Sequence, residues 1–153
     1  LSGLEKYSPI RFILDKNLII KNNRFLIKSS RKIKTHIFFN LAKPSKIKFL
    51  KTHGIKMHKS KLNNDYELDL KFILKKIKKL GINHLLVEGG KILTSTFIKE
   101  NLFNEFYLFK SSKKLANKGK NNITKILSKL NQKFDNKKKI NTYLDKDEVI
   151  NYY

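Results

Sequence analysis

Short apolar runs at the start of the chain predict three strands. The stretch from Ser8 to Asp15 places an apolar run behind Pro9, a proline position that suits a strand entry. Residues Lys34–Phe39 form a second strand candidate, and Ile55–His58 form a weaker third one in which apolar and polar residues alternate. A polar loop around Asn63–Asp65 follows.

The segment after this loop has the clearest helical spacing in the chain. Asn64 followed by Glu67 three residues later forms a start signal, with Asp69 in the predicted first turn. Gly81 follows a lysine-rich last turn and suits a left-handed helix terminator. The apolar positions that share one helical face are Leu70, Ile73, Leu74, Ile77 and Leu80.

Strands and helices are predicted to alternate through the middle of the chain. His84–Val87 has no polar alternation, which is typical of a central strand covered on both faces. A helix is predicted from Lys91 to about Glu100, and Glu105–Phe109 forms a further buried-strand candidate. This order favours an α/β layer in which at least part of the sheet is parallel.

The last third of the chain is more polar. Ser111–Asn122 is predicted to be a loop and Ile123–Leu130 a helix. Ile140–Leu144 and Val149–Tyr153 predict a closing hairpin with a turn at Asp145–Asp147. No stretch is long enough to be a linker, so all 153 residues are predicted to form a single domain.

Composition excludes several classes of site. The chain has no cysteine, which rules out disulfides, thiolate metal sites and a cysteine nucleophile. No apolar run reaches the roughly 18 residues of a membrane span, and no signal peptide is visible, so we expect a cytoplasmic protein without membrane contact. The four histidines lack ligand spacing with carboxylates; His58 is predicted to be solvated and His84 to be a core or edge residue.

The net charge of +23 would suit a nucleic-acid-binding protein. However, its basic residues are lysines except for Arg11, Arg24 and Arg31. Arginine is the preferred side chain for bidentate phosphate and base contacts. Lysine, asparagine, isoleucine and phenylalanine are all encoded by A/T-rich codons, so the charge is better explained by genome composition. A basic nucleic-acid-binding α/β module remains the alternative.

The segment from Val87 to Thr96 carries the candidate chemistry. A predicted strand ends in Glu88, Gly89 and Gly90 follow, and a helix begins. Ligands of open α/β sheets lie beyond the carboxyl ends of parallel strands, and a helix start offers free N–H groups to phosphate. Thr94, Ser95 and Thr96 add hydroxyl groups. These features predict a pocket for a phosphorylated cofactor beside a polar substrate.

The same residues also fit a plainer structural role. Two glycines after a strand often make only a tight turn, and a glutamate there is often a cap or a surface residue. The segment contains neither the G-x-G-x-x-G fingerprint of dinucleotide-binding domains nor a P-loop.

Three passages resemble the reductase domain of the bifunctional riboflavin-biosynthesis deaminase/reductase. Pro9–Asp15 is similar to the family's P-[IL]-R-[IV]-[IV]-[IL]-D strand, and Ile82–Gly90 with Leu93 to its LLVEGG signature. Phe97–Glu105 continues that signature, with Phe103-Asn104-Glu105 in place of V-D-E, and Ile140–Tyr153 resembles its closing hairpin. The likeness covers nearly the whole chain.

The resemblance implies a dihydrofolate-reductase-like fold: a mixed, mainly parallel sheet flanked by helices, without the strand and helix that the family places ahead of Leu1. It also implies NADPH-dependent reduction of 5-amino-6-(5-phosphoribosylamino)uracil to its ribitylamino product. The missing opening portion contributes to the family's substrate and nicotinamide pocket, so we expect the chain alone to turn over poorly or not at all. The family's deaminase half, with its zinc motif, is absent from this sequence.

Site residues carry over from the resemblance by position. Glu88 falls on the family's substrate-contacting glutamate, and Lys16 falls where the family often has a serine touching the cofactor. No catalytic residue and no metal ligand is assigned. Family members associate through this domain, so a homo-oligomer is expected; a non-catalytic remnant used for assembly is a third possibility. The cofactor-binding segment carries over onto Gly90, Lys91, Ile92, Leu93, Thr94, Ser95 and Thr96.

Overall fold

The computed structural model describes residues 7–113, 124–143 and 146–153. It divides into two compact units, Leu1–His84 and Leu85–Tyr153. The prediction that the whole chain is one domain stays a prediction.

The first unit contains a three-stranded parallel sheet in the order β1-β2-β3. Two helices that the apolar pattern did not reveal connect these strands in sequence, and a longer helix follows. The elements are β1 (Arg11–Leu14), α1 (Phe25–Lys28), β2 (Thr35–Phe39), α2 (Pro44–Thr52), β3 (Lys56–Lys59) and α3 (Leu70–Lys79).

The central strand β2 is buried along its whole length. Ile37 and Phe39 belong to a core cluster that includes Ile27 of α1 and Leu50 of α2. The intervening Phe38 instead packs in a second cluster whose other buried members are Leu68, Ile73 and Ile77. Successive residues of a strand point to opposite faces, so this apolar run fills two cores at once.

The Arg11 side chain links β1 to neighbouring elements by hydrogen bonds to uncharged oxygen atoms. Its Nε and Nη2 donate to the Thr35 hydroxyl at 3.0 and 2.7 Å, and its Nη1 donates to the Ser29 hydroxyl at 3.0 Å. Nη2 also donates to the carbonyl oxygens of Leu26 and Ile33. Burial lowers the pKa of the guanidinium. The side chain therefore connects α1, β1 and β2.

Two histidines form a stacked pair on the sheet. His36 of β2 is buried, and its Nδ1 lies 2.8 Å from Nε2 of His58 on β3. Phe12 and Phe38 pack against this pair, with ring centroids 5.0 Å from His36 and 4.8 Å from His58, respectively. The expectation that His58 is solvated is wrong, because the parallel register places it beside Phe38.

Burial, followed by the positive potential of His58 and nearby lysines, lowers the pKa of His36 from 6.5 to about 4. Burial likewise lowers the pKa of His58. Both histidines are therefore protonated more readily in the unfolded chain than in the folded one. We expect the free energy of unfolding to fall by roughly 2–3 kcal/mol as pH drops from 6.5 towards 4. Urea titrations at a series of pH values measure this change.

Replacing both histidines by phenylalanine (H36F/H58F) removes these two titrating groups and should therefore flatten the pH dependence. Phenylalanine rings suit the positions because aromatic rings already pack against the pair. His84→Ala, at an exposed histidine, is the matched control and should retain it. An unchanged slope in the double variant would assign the pH dependence to other groups.

The helix predicted after the polar loop is α3, but it begins later than the start signal indicated. Asp69, rather than Asn64, caps it: the Asp69 carboxylate accepts the Phe72 backbone N–H at 2.9 Å. This hydrogen bond is the main cause that lowers the pKa of Asp69. Gly81 has a φ of +83° after the helix end, as a left-handed terminator requires.

Asp69→Ala should lower the free energy of unfolding by about 1 kcal/mol, because it removes the N-cap hydrogen bond. Asn64→Ala removes the side chain that sequence alone favoured and should have almost no effect. Urea unfolding of the two variants at neutral pH compares them; equal losses would contradict the assignment of Asp69 as the cap.

The second unit combines two helices with an antiparallel sheet in the order β4-β6-β5. Its core joins Ile98, Leu130 and Tyr152, one from each of α4, α5 and β6. The aromatic rings of Phe103, Phe106 and Phe134 surround it. The elements are α4 (Lys91–Lys99), β4 (Phe106–Lys110), α5 (Thr124–Lys133), β5 (Lys137–Ile140) and β6 (Glu148–Tyr152).

The prediction of a mixed α/β fold with parallel strands flanked by helices is confirmed, but several local predictions change. The parallel strands all come from Arg11–Lys59, earlier than the predicted middle of the chain. The strand in Glu105–Phe109 is only half covered, with Phe109 70% exposed. The closing hairpin forms, but its first strand is Lys137–Ile140. Most of the predicted loop Ser111–Asn122, together with Ile123, Leu144 and Asp145, lies outside the described residues.

Candidate functional site

The segment that precedes α4 is irregular and exposed. Residues 82–90 form neither strand nor helix, and Leu86 is 82% exposed. The prediction of a buried central strand at His84–Val87 is therefore wrong, and so is the placement of His84 in a core or at a sheet edge. A strand needs hydrogen-bonding neighbours as well as apolar side chains, and both described sheets are built from other segments.

The irregular segment ends at the start of α4. Gly90 is the N-cap residue, with an extended backbone (φ −73°, ψ −178°) and no side chain to cap the helix. Its carbonyl oxygen accepts the Thr94 N–H at 3.1 Å, which closes the first helical turn. The N–H groups of this first turn have no partners within the helix, so they suit an anionic group.

The two glycines have different surroundings. A Cβ on Gly89 would lie 2.7 Å from Cδ2 and 3.0 Å from Cβ of Leu93, so this glycine allows the turn to fold against the helix. A Cβ on Gly90 would meet nothing within 4 Å. Gly89 therefore serves local packing, whereas Gly90 leaves the helix start open to a ligand.

The hydroxyl groups of α4 are partly committed to the backbone. The Thr94 hydroxyl donates to the Gly89 carbonyl at 3.3 Å, and the Thr96 hydroxyl donates to the Ile92 carbonyl at 3.0 Å. Each would have to rotate away before donating to a ligand. At the start of α4, the backbone N–H groups are therefore more available to a ligand than these hydroxyl groups.

The remaining predicted residues of this segment differ in exposure. Glu88, Lys91 and Ile92 are exposed, and Leu93 and Ser95 are half-buried. The segment therefore presents a carboxylate and an ammonium group on either side of the open glycine. The structure keeps Glu88 and Gly90–Thr96 together in the second unit.

Lys16 belongs to the first unit and is already paired. Its ammonium group lies 3.2 Å from the Glu67 carboxylate and donates to the Tyr66 carbonyl at 2.9 Å. An anion at Lys16 would have to compete with this ion pair. The assignment of Lys16 to the cofactor stays a prediction.

The part of the chain that the structure describes contains no group of three or more histidine, aspartate or glutamate side chains arranged to hold a metal ion. None of its helices combines the length and the apolar character that crossing a bilayer demands.

Sequence spacing does not reveal the His36–His58 pair, because only the parallel register brings the two residues together.

Comparisons with known proteins agree with the sequence resemblance. A family model described as the RibD C-terminal domain matches residues 3–141. A riboflavin biosynthesis protein RibD from Aquifex aeolicus (strain VF5) is 33% identical over 101 residues, which cover 66% of this chain and 26% of that protein. Its namesake from Buchnera aphidicola subsp. Baizongia pistaciae (strain Bp) is 36% identical over 58 residues, 38% of this chain and 16% of that protein. The matches thus span about a quarter or less of these relatives.

Gly89→Ala should lower the free energy of unfolding by about 1–2 kcal/mol, because the new methyl group overlaps Leu93. Gly90→Ala adds a methyl group in open space and should change stability little. Thermal unfolding of both variants tests the difference. A Gly90→Ala variant as unstable as Gly89→Ala would show that the helix start is closed.

Proposed function

Because the chain belongs to the RibD C-terminal domain family, we propose that it is an NADPH-dependent reductase domain of riboflavin biosynthesis. The names of both relatives support the pathway. The proposed reaction reduces 5-amino-6-(5-phosphoribosylamino)uracil to 5-amino-6-(5-phosphoribitylamino)uracil. The observation that carries the proposal is the open helix start at Gly90, within the segment that resembles the family's cofactor site.

The residues around the start of α4 fit a phosphorylated dinucleotide. When bound, the reduced nicotinamide would supply the hydride that forms the new C–H bond at C1′ of the sugar, while the bond from C1′ to the ring oxygen opens and that oxygen gains a proton. The backbone N–H groups at the start of α4 bind the cofactor's phosphates, and the helix dipole adds favourable potential. Gly90 lets the phosphates approach the backbone closely, because this N-cap residue has no side chain of its own and no side-chain cap hydrogen bond forms.

Glu88 is proposed to bind the substrate. Its exposed carboxylate directly precedes the glycine pair, so one short segment serves both ligands. A carboxylate accepts hydrogen bonds from the N–H and hydroxyl groups of a pyrimidine ribosylamine. This contact orients the sugar carbon towards the hydride donor, the positioning on which such a transfer depends.

We further propose that the protein acts in the cytoplasm and forms a homo-oligomer. Both proposals come from the family resemblance. Neither membrane nor nucleic acid has a role in the proposed reaction.

Gly90→Asp should weaken NADPH binding by at least about tenfold, because the added carboxylate repels the cofactor's phosphates and covers the N–H groups. Calorimetric titration of the 153-residue chain with NADPH measures this effect. Asn83→Asp is the matched control: it adds the same charge at an exposed position of the same irregular segment and should bind normally.

Equal NADPH affinity in wild type and Gly90→Asp would contradict the proposed cofactor site. Absence of saturable NADPH binding in the wild type, together with strongly salt-dependent binding to DNA or RNA, would instead support the nucleic-acid-binding alternative.

A further inference from the structure

The first unit contains a long stretch without any carboxylate. The segment from Lys16 to Asn64 has 14 basic residues and no aspartate or glutamate, whereas the rest of the chain contains the other 21 basic residues together with all 12 acidic ones. Genome composition accounts for lysine in place of arginine. It does not account for this gap, because aspartate and glutamate also have codons rich in A and T. The separation of charge along the chain therefore needs another explanation.

The fold brings part of this stretch to one face of the parallel sheet. Helices α1 and α2 both pack against the core cluster of Ile37 and Phe39, the arrangement that right-handed crossovers between successive parallel strands produce. Helix α3 packs against Phe38 on the opposite side, and three carboxylates precede it. The layer formed by α1 and α2 therefore contains no acidic residue.

Two hydrogen bonds hold the end of α1 beside the end of α2. Arg31 Nη2 donates to the Thr52 carbonyl at 3.2 Å, and the Ser30 hydroxyl donates to the His53 carbonyl at 2.7 Å. These contacts bring exposed basic side chains from both helices into one region. We call this region the basic patch, which consists of Lys28, Arg31, Lys32, Lys48 and Lys51.

The charge of the basic patch is not compensated by carboxylates. Across the described ranges, its four lysines form no ion pair, and Arg31 donates to a backbone carbonyl. Like charges gathered on one face repel one another and destabilise the folded state. A bound polyanion would offset this repulsion.

A shallow cavity of about 510 Å³ lies against α2 within the patch. Lys48 and Lys51 line it together with Pro44, Ile47 and Thr52. The lysines can contact phosphates, and the apolar side chains beside them can contact the sugars and base faces that a single strand leaves exposed. Protein–protein interfaces, by contrast, are depleted in lysine. The lining therefore favours a nucleic-acid strand over an acidic protein.

We propose that the basic patch binds the phosphate backbone of a single-stranded nucleic acid without base specificity. Lysine is a flexible point charge, so it can follow phosphates whose positions vary, whereas reading a base needs fixed hydrogen-bond geometry. This binding is separate from the proposed reductase function, because it uses no residue of α4 or of the segment that precedes it.

Fluorescence anisotropy tests the proposal by titrating a labelled oligouridine of about 20 nucleotides with the 153-residue chain at several salt concentrations. In the variant K28Q/K32Q/K48Q/K51Q, the affinity should fall by about tenfold or more. The slope of log K against log salt should also become shallower by about 2–3, because each phosphate contact to a single strand contributes roughly 0.7.

The matched control K71Q/K75Q/K78Q/K79Q removes four exposed lysines from α3, on the other side of the same sheet. It changes the net charge equally and should keep most of the wild-type affinity for oligouridine. Equal losses in the two variants would show that total charge alone drives binding, and this would overturn the patch as a site. Unchanged binding in the patch variant would overturn it as well.

Polyglutamate of similar length is the second probe. Polyglutamate binding that depends on the patch and is as tight as oligouridine binding would overturn the assignment to nucleic acid and indicate an acidic protein instead. Circular dichroism checks that each variant is folded, and K48Q/K51Q repeats the comparison with only two exposed changes. NADPH titration of the same variants reports on the proposed function separately, so the two proposals can fail independently.

Discussion

The first unit depends on the burial of β2 between two apolar layers. Ile37 and Phe39 pack on one side, with α1 and α2, and Phe38 packs on the other with α3. The strand must pair with β1 and β3 on its two edges, because buried backbone groups need hydrogen-bonding partners. This parallel pairing requires crossover connections, and these place α1 and α2 on the face of the sheet that carries the basic patch.

The second unit presents a different kind of site. Here an irregular segment, rather than a sheet edge, leads to the start of α4. Gly89 and Gly90 have different roles that sequence alone does not separate. Gly89 leaves room for Leu93, and Gly90 is the N-cap residue of α4, where an added Cβ would meet nothing within 4 Å. The proposed cofactor contacts depend on Gly90, and the local packing depends on Gly89.

Sequence pattern predicted the elements that bury an apolar face of their own. The parallel strands at Arg11–Leu14 and Thr35–Phe39, and helix α3, appear close to where periodicity placed them. Helix α2 is not evident from the sequence pattern because lysines interrupt its apolar face. His84–Val87 has the apolar character of a buried strand, but hydrophobicity does not show whether a neighbouring strand is available for hydrogen bonding. The start of α4 at Lys91, after the glycine pair, was predicted, whereas the His36–His58 pair and the basic patch come together only through sheet register and helix packing.

The proposed function depends most on the binding of a reduced nicotinamide cofactor's phosphates at the start of α4. Titration of the ¹⁵N-labelled chain with NADPH, followed by amide chemical shifts, tests it most directly. We expect saturable shifts at the backbone amides of Gly90, Lys91 and Ile92. Saturable NADPH binding that leaves these three amides unmoved would contradict it.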